Sequence, residues 1–253
     1  MFYEHSLFEL PGNLNVKIWR YMDFTKLISS LEKGTLYFAR SDKLGDPFEG
    51  KISQMTVHAF KEDLKQSYVS DDDIAKMVSS MKAVHDDYRK IMFVNCWHLS
   101  NHESAAMWKT YLKSNEVIAI QSTCKRFAMA FDVYPDFVGH LGKVKYIDYD
   151  RQKINEKNMF SAFLHKRKSF EYEKEIRAIA YNAKILKADN IRKDKDGETI
   201  GYHLECNLET LIEKIYVSPP SNEWFLNIVK SVVKKFGINK QVSMSKISEN
   251  PLY

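Results

Sequence analysis

The segment Phe170-Glu171-Tyr172-Glu173-Lys174-Glu175-Ile176-Arg177 places three carboxylates and a guanidinium at alternate positions. In an extended chain, Glu171, Glu173, Glu175 and Arg177 would share one face, and Ile176, Ala178 and Ala180 the other. Adjacent carboxylates on one strand face repel each other unless cations or ligand hydroxyls stand opposite them. Such a face suits a site acting on a sugar or a cationic intermediate. It equally suits a solvated strand edge carrying a Glu–Arg pair. Arg20 is a second candidate, set between Trp19 and Tyr21 in an otherwise apolar run. Arginine is rarely buried without a carboxylate or phosphate partner. Here the partner is either a ligand anion or a neighbour such as Glu173. Ser122 and Thr123 follow the apolar run Val117–Ile120, where hydroxyls can orient a ligand, although Ser and Thr are commonplace at strand exits.

Other patterns carry less chemistry. Cys96-x-His98 and His98-x-x-x-His102, with Glu103 adjacent, look like metal ligands. The expected strand ends near Trp97 and the next helix starts near Ser100, so the two histidines share no helical face and no metal is expected. Cys96 lies in a buried apolar run, where thiols are inert. Neither common Gly-rich phosphate loop is present. Trp97, Trp108 and Tyr111 read as core.

The elements that position these residues follow from periodicity. Val16 to Tyr21 reads as a strand. Asp23 caps a helix over Phe24 to Glu32, with Leu27, Ile28 and Leu31 on one face. Gly34 ends that helix in a left-handed conformation, and Thr35 to Ala39 forms a second strand. Ser53 to Lys90 is polar and helical, an inserted layer with Ser70-Asp71 as a cap. Ile91 to Trp97 is a buried strand, and Ser100 with Glu103 forms a capping box for the helix carrying Ala105, Met107, Trp108 and Tyr111. Strands are expected at Val117–Ile120, at Gly142 to Tyr149 and at Glu175 to Tyr181, with a helix over Glu156 to Lys168. Asp196-Gly197 marks a hairpin within Asn190 to Cys206. A strand (Lys214 to Val217), a helix (Ser221 to Phe236, closed by Gly237) and a last strand (Gln241 to Ser245) follow. The mixture is α+β, with a mainly antiparallel sheet and flanking helices in a single domain.

The 253 residues hold 44% hydrophobic and 28% charged side chains, with 9 Gly and 6 Pro, which leaves little room for flexible linkers. The first residues lack a basic stretch followed by an apolar one, so no secretory signal is expected, and no apolar run reaches membrane-spanning length. Three scattered cysteines show no disulfide or zinc spacing, which suits a reducing cytoplasm. The net charge of +5 is dispersed, with its densest stretches at His165–Lys168 and Arg192-Lys193. It suits a basic surface or a nucleic-acid partner.

Several segments together resemble a bacterial domain-of-unknown-function family, the one numbered 2971. They are Trp19-Arg20-Tyr21, Leu36-Tyr37-Phe38-Ala39, Asp46-Pro47-Phe48-Glu49, Asn95-Cys96-Trp97, Glu103-Ser104, and Met107-Trp108-x-x-Tyr111. Phe170-x-Tyr172-Glu173-x-Glu175-x-Arg177, Ile215-x-Val217-x-Pro219 and Trp224 complete the set. More distantly, Arg20 on the first strand, Ser122-Thr123 in the middle and a late Glu173-x-Glu175 resemble ADP-ribosyltransferases. Cys124 stands where that motif has its final Ser.

That resemblance implies a split sheet and NAD as substrate. It implies Glu175 on the ribose 2′-hydroxyl, Glu173 on the acceptor and Arg20 on the pyrophosphate. Ser122 and Thr123 would brace the cradle, and Tyr21 or Tyr37 would stack on nicotinamide. It further implies a macromolecular acceptor, protein or nucleic acid, and a bacterial toxin or phage-defence role with an antitoxin or immunity partner. The rival readings are a nucleic-acid-binding or nuclease module of a defence system, and a non-catalytic partner-binding domain.

Overall fold

The computed structural model describes residues 5–112, 114–131, 139–155, 158–181 and 191–248. β1 (Lys17–Asp23) passes directly into α1 (Phe24–Lys33). Asp23 holds the cap position, but its carboxylate pairs with Lys26 at 3.0 Å and makes no capping hydrogen bond. Gly34, at φ 62°, ends the helix in the left-handed region, which costs glycine no Cβ clash, and β2 (Thr35–Arg40) follows. α2 (Gln54–Gln66) and α3 (Asp71–Ile91) form the inserted layer, capped by the hydroxyls of Ser53 and Ser70. Ile91 closes α3 instead of opening a strand, so β3 spans Phe93–Leu99.

α4 (Ala105–Tyr111) is capped by Ser104, which accepts from the Met107 amide at 3.3 Å. The expected Ser100–Glu103 box does not form. Glu103 instead accepts from the Trp108 indole and from Ser245 and Lys246, tying α4 to the C-terminal strand region. β4 (Val117–Thr123), α5 (Cys124–Phe131), β5 (Gly139–Lys143) and β6 (Lys145–Ile147) come next. The expected helix over Glu156 to Lys168 is a correction as well. Its described part is a short 3-10 turn (Ser161–Leu164) followed by β7 (His165–Arg167). The chain ends with β8 (Glu175–Ala180), β9 (Ile191–Lys193), β10 (Thr199–Glu205), α6 (Leu208–Leu211), β11 (Lys214–Val217), α7 (Glu223–Lys235) and β12 (Gln241–Met244). No helix among the described residues is long and apolar enough to cross a membrane.

The main sheet runs β12-β11-β4-β1-β3-β2-β10-β9, with β8 and β5 branching from β3. Only β11–β12 is parallel within it. β3 is the branch point. One of its edges pairs with β8 from Phe93 to His98. On the other edge its end (His98, Leu99) pairs with β1 and its start (Phe93, Val94) with β2. The sheet therefore opens between β1 and β2, beside Asn95, Cys96 and Trp97.

One face of the sheet carries Ile18, Met22, Phe38, Trp97, Ile118 and Ile176 against α1, α5 and α7. The other face carries two separate clusters. Trp19, Tyr21 and Ala119 pack on Met107 and Trp108 of α4, and Val94 and Ile179 pack on Phe8, Phe160 and Phe163. The interval between these two clusters is filled by ions.

Close packing on β2 depends on Gly201. A Cβ there would collide with the Tyr37 hydroxyl and come within 2.6 Å of the Phe38 carbonyl oxygen. Gly201→Ala is expected to destabilise by about 1–3 kcal/mol through overpacking, lowering the melting midpoint by roughly 3–10 °C. An unchanged midpoint in a thermal melt would show that β10 yields there without strain.

A candidate active site at the opening of the sheet

The expected four-residue acidic face does not form. Lys168–Glu173 is a 3-10 turn, and Lys174 turns the chain with φ 41° before β8 begins at Glu175. The alternation holds only within β8. There Glu175 and Arg177 share the face of His98 and Cys96, their register partners on β3. Glu171 stays on the exposed turn, whereas the turn returns Glu173 toward the cluster.

Arg177 is fully buried and organises the cluster. Its Nε and one terminal nitrogen donate to Glu175 at 2.8 and 3.1 Å, and both terminal nitrogens reach Glu49, at 2.9 and 3.2 Å. The Phe163 carbonyl accepts a further bond at 2.8 Å. Lys166, aimed inward from β7, lies 2.5 Å from Glu173, 3.3 Å from Glu49 and 3.4 Å from Glu175. Arginine suits this position because its planar fork meets two carboxylates bidentately.

The three carboxylates are not equivalent. Burial would raise the Glu175 carboxyl, but Arg177 and Lys166 outweigh burial and hold it at about 2. For Glu173 burial dominates and Lys166 only partly offsets it, so its carboxyl lies above the usual range. Exposure separates them too: the side chains are 17% exposed for Glu173, 5% for Glu175 and 2% for Glu49. A carboxylate offers about four lone-pair positions. Arg177, Lys166 and the Cys96 thiol occupy those of Glu175. Glu173 gives one oxygen to Lys166, and its other oxygen accepts no hydrogen bond among the described residues. Its backbone carbonyl accepts from His98 Nδ1 at 2.5 Å, which fixes that histidine's tautomer. Burial lowers the His98 pKa, favouring the neutral ring.

Arg20 lies in the sheet opening. Its guanidinium donates to the carbonyls of Cys96 on β3 at 2.9 Å and Tyr37 on β2 at 3.5 Å, bridging strands that do not pair there. No carboxylate among the described residues lies within ion-pair distance of it. Burial works against its charge, while the fields of Cys96, Tyr111 and Glu175 support it. Asn95 also bridges the opening, donating to the Tyr37 carbonyl at 2.7 Å.

Tyr21 is buried, and its hydroxyl accepts from the Ser104 amide, so its ring belongs to the core. Tyr111 stacks on it, with centroids 6.2 Å apart, and stays 37% exposed, correcting its reading as core. Burial pushes its phenol up to about 12, and the charge of Arg20 partly offsets that rise. Tyr37 is half-buried, its hydroxyl donating to the Ile200 carbonyl. Ser122 and Thr123 are not brought to the ionic cluster, because β1 and β3 stand between β4 and β8. The Ser122 hydroxyl donates to the Leu211 carbonyl at 2.5 Å, and Thr123 caps α5 through the Arg126 amide.

Sequence reasoning overlooked Glu49, Lys166 and Tyr111 as site residues. Glu49 and Tyr111 lie inside the quoted family segments, but only the fold reveals what they face. Among the described residues, no group of three or more His, Cys, Asp or Glu side chains is arranged to hold a metal. A divalent metal on the acidic face would have to displace Lys166 or Arg177.

No family model and no curated protein matches the sequence, so the resemblance to the numbered family rests on the quoted residues alone. Among solved structures the chain is similar to Thermus sp. 2.9 DarT in complex with NAD+, at 10% identity and a TM-score of 0.43, covering 95% of this chain and 99% of that one. It is similar to the same protein in complex with carba-NAD+ (11% identity, TM-score 0.42, covering 95% and 100%). A third likeness is to that protein in complex with ADP-ribosylated ssDNA (10%, 0.42, covering 96% and 100%).

Proposed function

We propose that this chain is an NAD-consuming, ADP-ribosyltransferase-like enzyme whose working carboxylate is Glu173. The observation that carries the reading is an open, elevated Glu173 together with a half-buried Arg20 at the mouth of a split sheet. The order Arg20, Ser122-Thr123, Glu173-x-Glu175 along the chain supports it.

The chemistry needs little from the protein. The nicotinamide–ribose bond breaks heterolytically, its electron pair leaves on the pyridine nitrogen, and positive charge spreads over the ribose C1′ and ring oxygen. A carboxylate beside the ribose stabilises that cation electrostatically and holds the 2′-hydroxyl. The resemblance to ADP-ribosyltransferases implies Glu175 for this task, but its acceptor positions are filled, and Glu173 takes it instead. Glu175 becomes the anchor that fixes Lys166, and Lys166 in turn aims Glu173. An acceptor nucleophile then attacks C1′ and gives its proton to Glu173 or to water. Arg20 keeps N–H groups that can meet the pyrophosphate, and Tyr111 replaces Tyr21 and Tyr37 as the ring placed to stack on nicotinamide. Ser122 and Thr123 brace the scaffold from α6 and α5. Modification of a macromolecule at the expense of NAD fits a toxin or phage-defence role.

Purified protein is expected to release nicotinamide from NAD. With cell lysate present, labelled ADP-ribose should appear on protein or nucleic acid. Folded protein that neither binds NAD nor releases nicotinamide would overturn the reading.

A further inference from the structure

The ionic cluster is not the only charged recess. A cavity of about 600 Å³ lies at the ends of β1 and β4, lined among others by Lys17, Lys125, Arg126 and Lys240. Two carboxylates share it, and both are engaged: Lys17 pairs with Glu213, and Lys240 with Glu209 at 2.7 Å. The second oxygen of Glu213 is buried and accepts no hydrogen bond among the described residues. Among the described residues the Arg126 guanidinium donates to the Thr210 carbonyl, at 2.6 Å. The Lys125 side chain is exposed and has no partner among the described residues. Cations therefore outnumber carboxylates four to two on the cavity wall.

The registers place this cavity on the same end of the sheet as Glu173. The Leu99 amide bonds to the Lys174 carbonyl, the Ser100 amide to the Lys17 carbonyl, and Lys17 pairs with Thr123. The starts of β8 and β1 and the ends of β3 and β4 thus form one rim. Three strand spacings separate β4 from β8, roughly 14 Å. The exposed Lys174 lies on the rim at the start of β8. At the Glu173 end two rings are open, Tyr172 at 42% and Tyr111 at 37% exposure.

We propose that the cavity seats the phosphodiester backbone of a single-stranded nucleic acid, whose continuation along the rim is the acceptor presented to Glu173. The acceptor clause rests on the function proposed above; the binding does not. Basic walls that follow a backbone, leading to exposed rings on which bases stack, are the pattern of single-strand recognition. An acidic peptide would use the cations but has no use for the rings.

The test is fluorescence anisotropy of the full chain with a labelled 12-nucleotide mixed-sequence DNA and its RNA counterpart, without NAD. Two phosphates engaged, by Lys125 and Arg126, predict that log affinity falls with log salt at a slope of about −1.4. Lys125→Glu is expected to weaken binding at least tenfold while leaving nicotinamide release unchanged. Lys125→Glu with Arg126→Gln should weaken it further, and thermal melts confirm that each variant is folded. Equal binding by wild type and both variants overturns the proposal. Binding of a polyglutamate peptide in place of the oligonucleotides overturns it as well. Nicotinamide release without oligonucleotide binding rejects the track and keeps the NAD reading. Salt-sensitive, Lys125-dependent binding without nicotinamide release keeps the track and rejects the NAD reading.

Discussion

Glu173→Gln is expected to reduce nicotinamide release by about 10²–10³-fold, the usual effect of removing one electrostatic contributor to a transition state. The substitution is nearly isosteric and removes a carboxylate that burial holds above its normal pKa. Such a group destabilises the folded state once ionised. Its contribution is most favourable below the unfolded carboxylate range and declines as pH rises through the elevated folded pKa. The melting midpoint at neutral pH should therefore stay within a few degrees of wild type. Glu175→Gln should also lose activity, but together with stability, because it takes an acceptor from buried Arg177. Measuring initial rates and melts of the two variants side by side separates the roles. A Glu173→Gln protein with near-wild-type rates would remove Glu173 from the chemistry.

Arg177→Met should be the most damaging single change to stability. It keeps a long apolar side chain but leaves Glu175 and Glu49 buried with Lys166 as their remaining cation. Breaking a buried ion pair by removing one partner costs about 3–5 kcal/mol, which lowers the melting midpoint of a chain this size by roughly 6–20 °C. The effect has a pH signature. In the wild type the Glu175 carboxyl is depressed to about 2, so its contribution is complete above the unfolded carboxylate pKa. That contribution drains away as pH falls toward the folded value. In the variant the Glu175 carboxyl loses the cation that chiefly depresses it and accepts protons more readily. The gap between variant and wild type should therefore narrow as pH falls from about 4.5 toward 2. A gap constant across that range would assign the loss to packing instead of charge. Arg177→Lys should fall between the two, since it restores a charge but not the fork.

The α+β class and most elements were legible because their causes are local. β1, α1, Gly34 and β2 follow from side-chain periodicity and one left-handed glycine, all within a span of two dozen residues. The last strand–helix–strand unit, β11 to β12, follows for the same reason. Capping was harder to read, since Ser100 and Ser104 both precede α4. The choice of Ser104 depends on Glu103 being drawn to Trp108 and Ser245.

The site was legible only in part. Residue types marked Arg20, Glu173, Glu175 and Arg177 as unusual, because charges in apolar surroundings need partners. What those charges meet was settled elsewhere. Lys174 takes a positive φ that breaks the strand pattern, and the turn it closes directs Glu173 toward Lys166. Glu49 reaches Arg177 across 128 positions of sequence, a separation no local pattern reports. Which carboxylate remains open is likewise a property of the assembled cluster. Chain composition and periodicity determined that these charges exist on an α+β scaffold. Tertiary structure decided which are neutralised and which one faces outward, because burial and ion pairing depend on neighbours that only folding brings together.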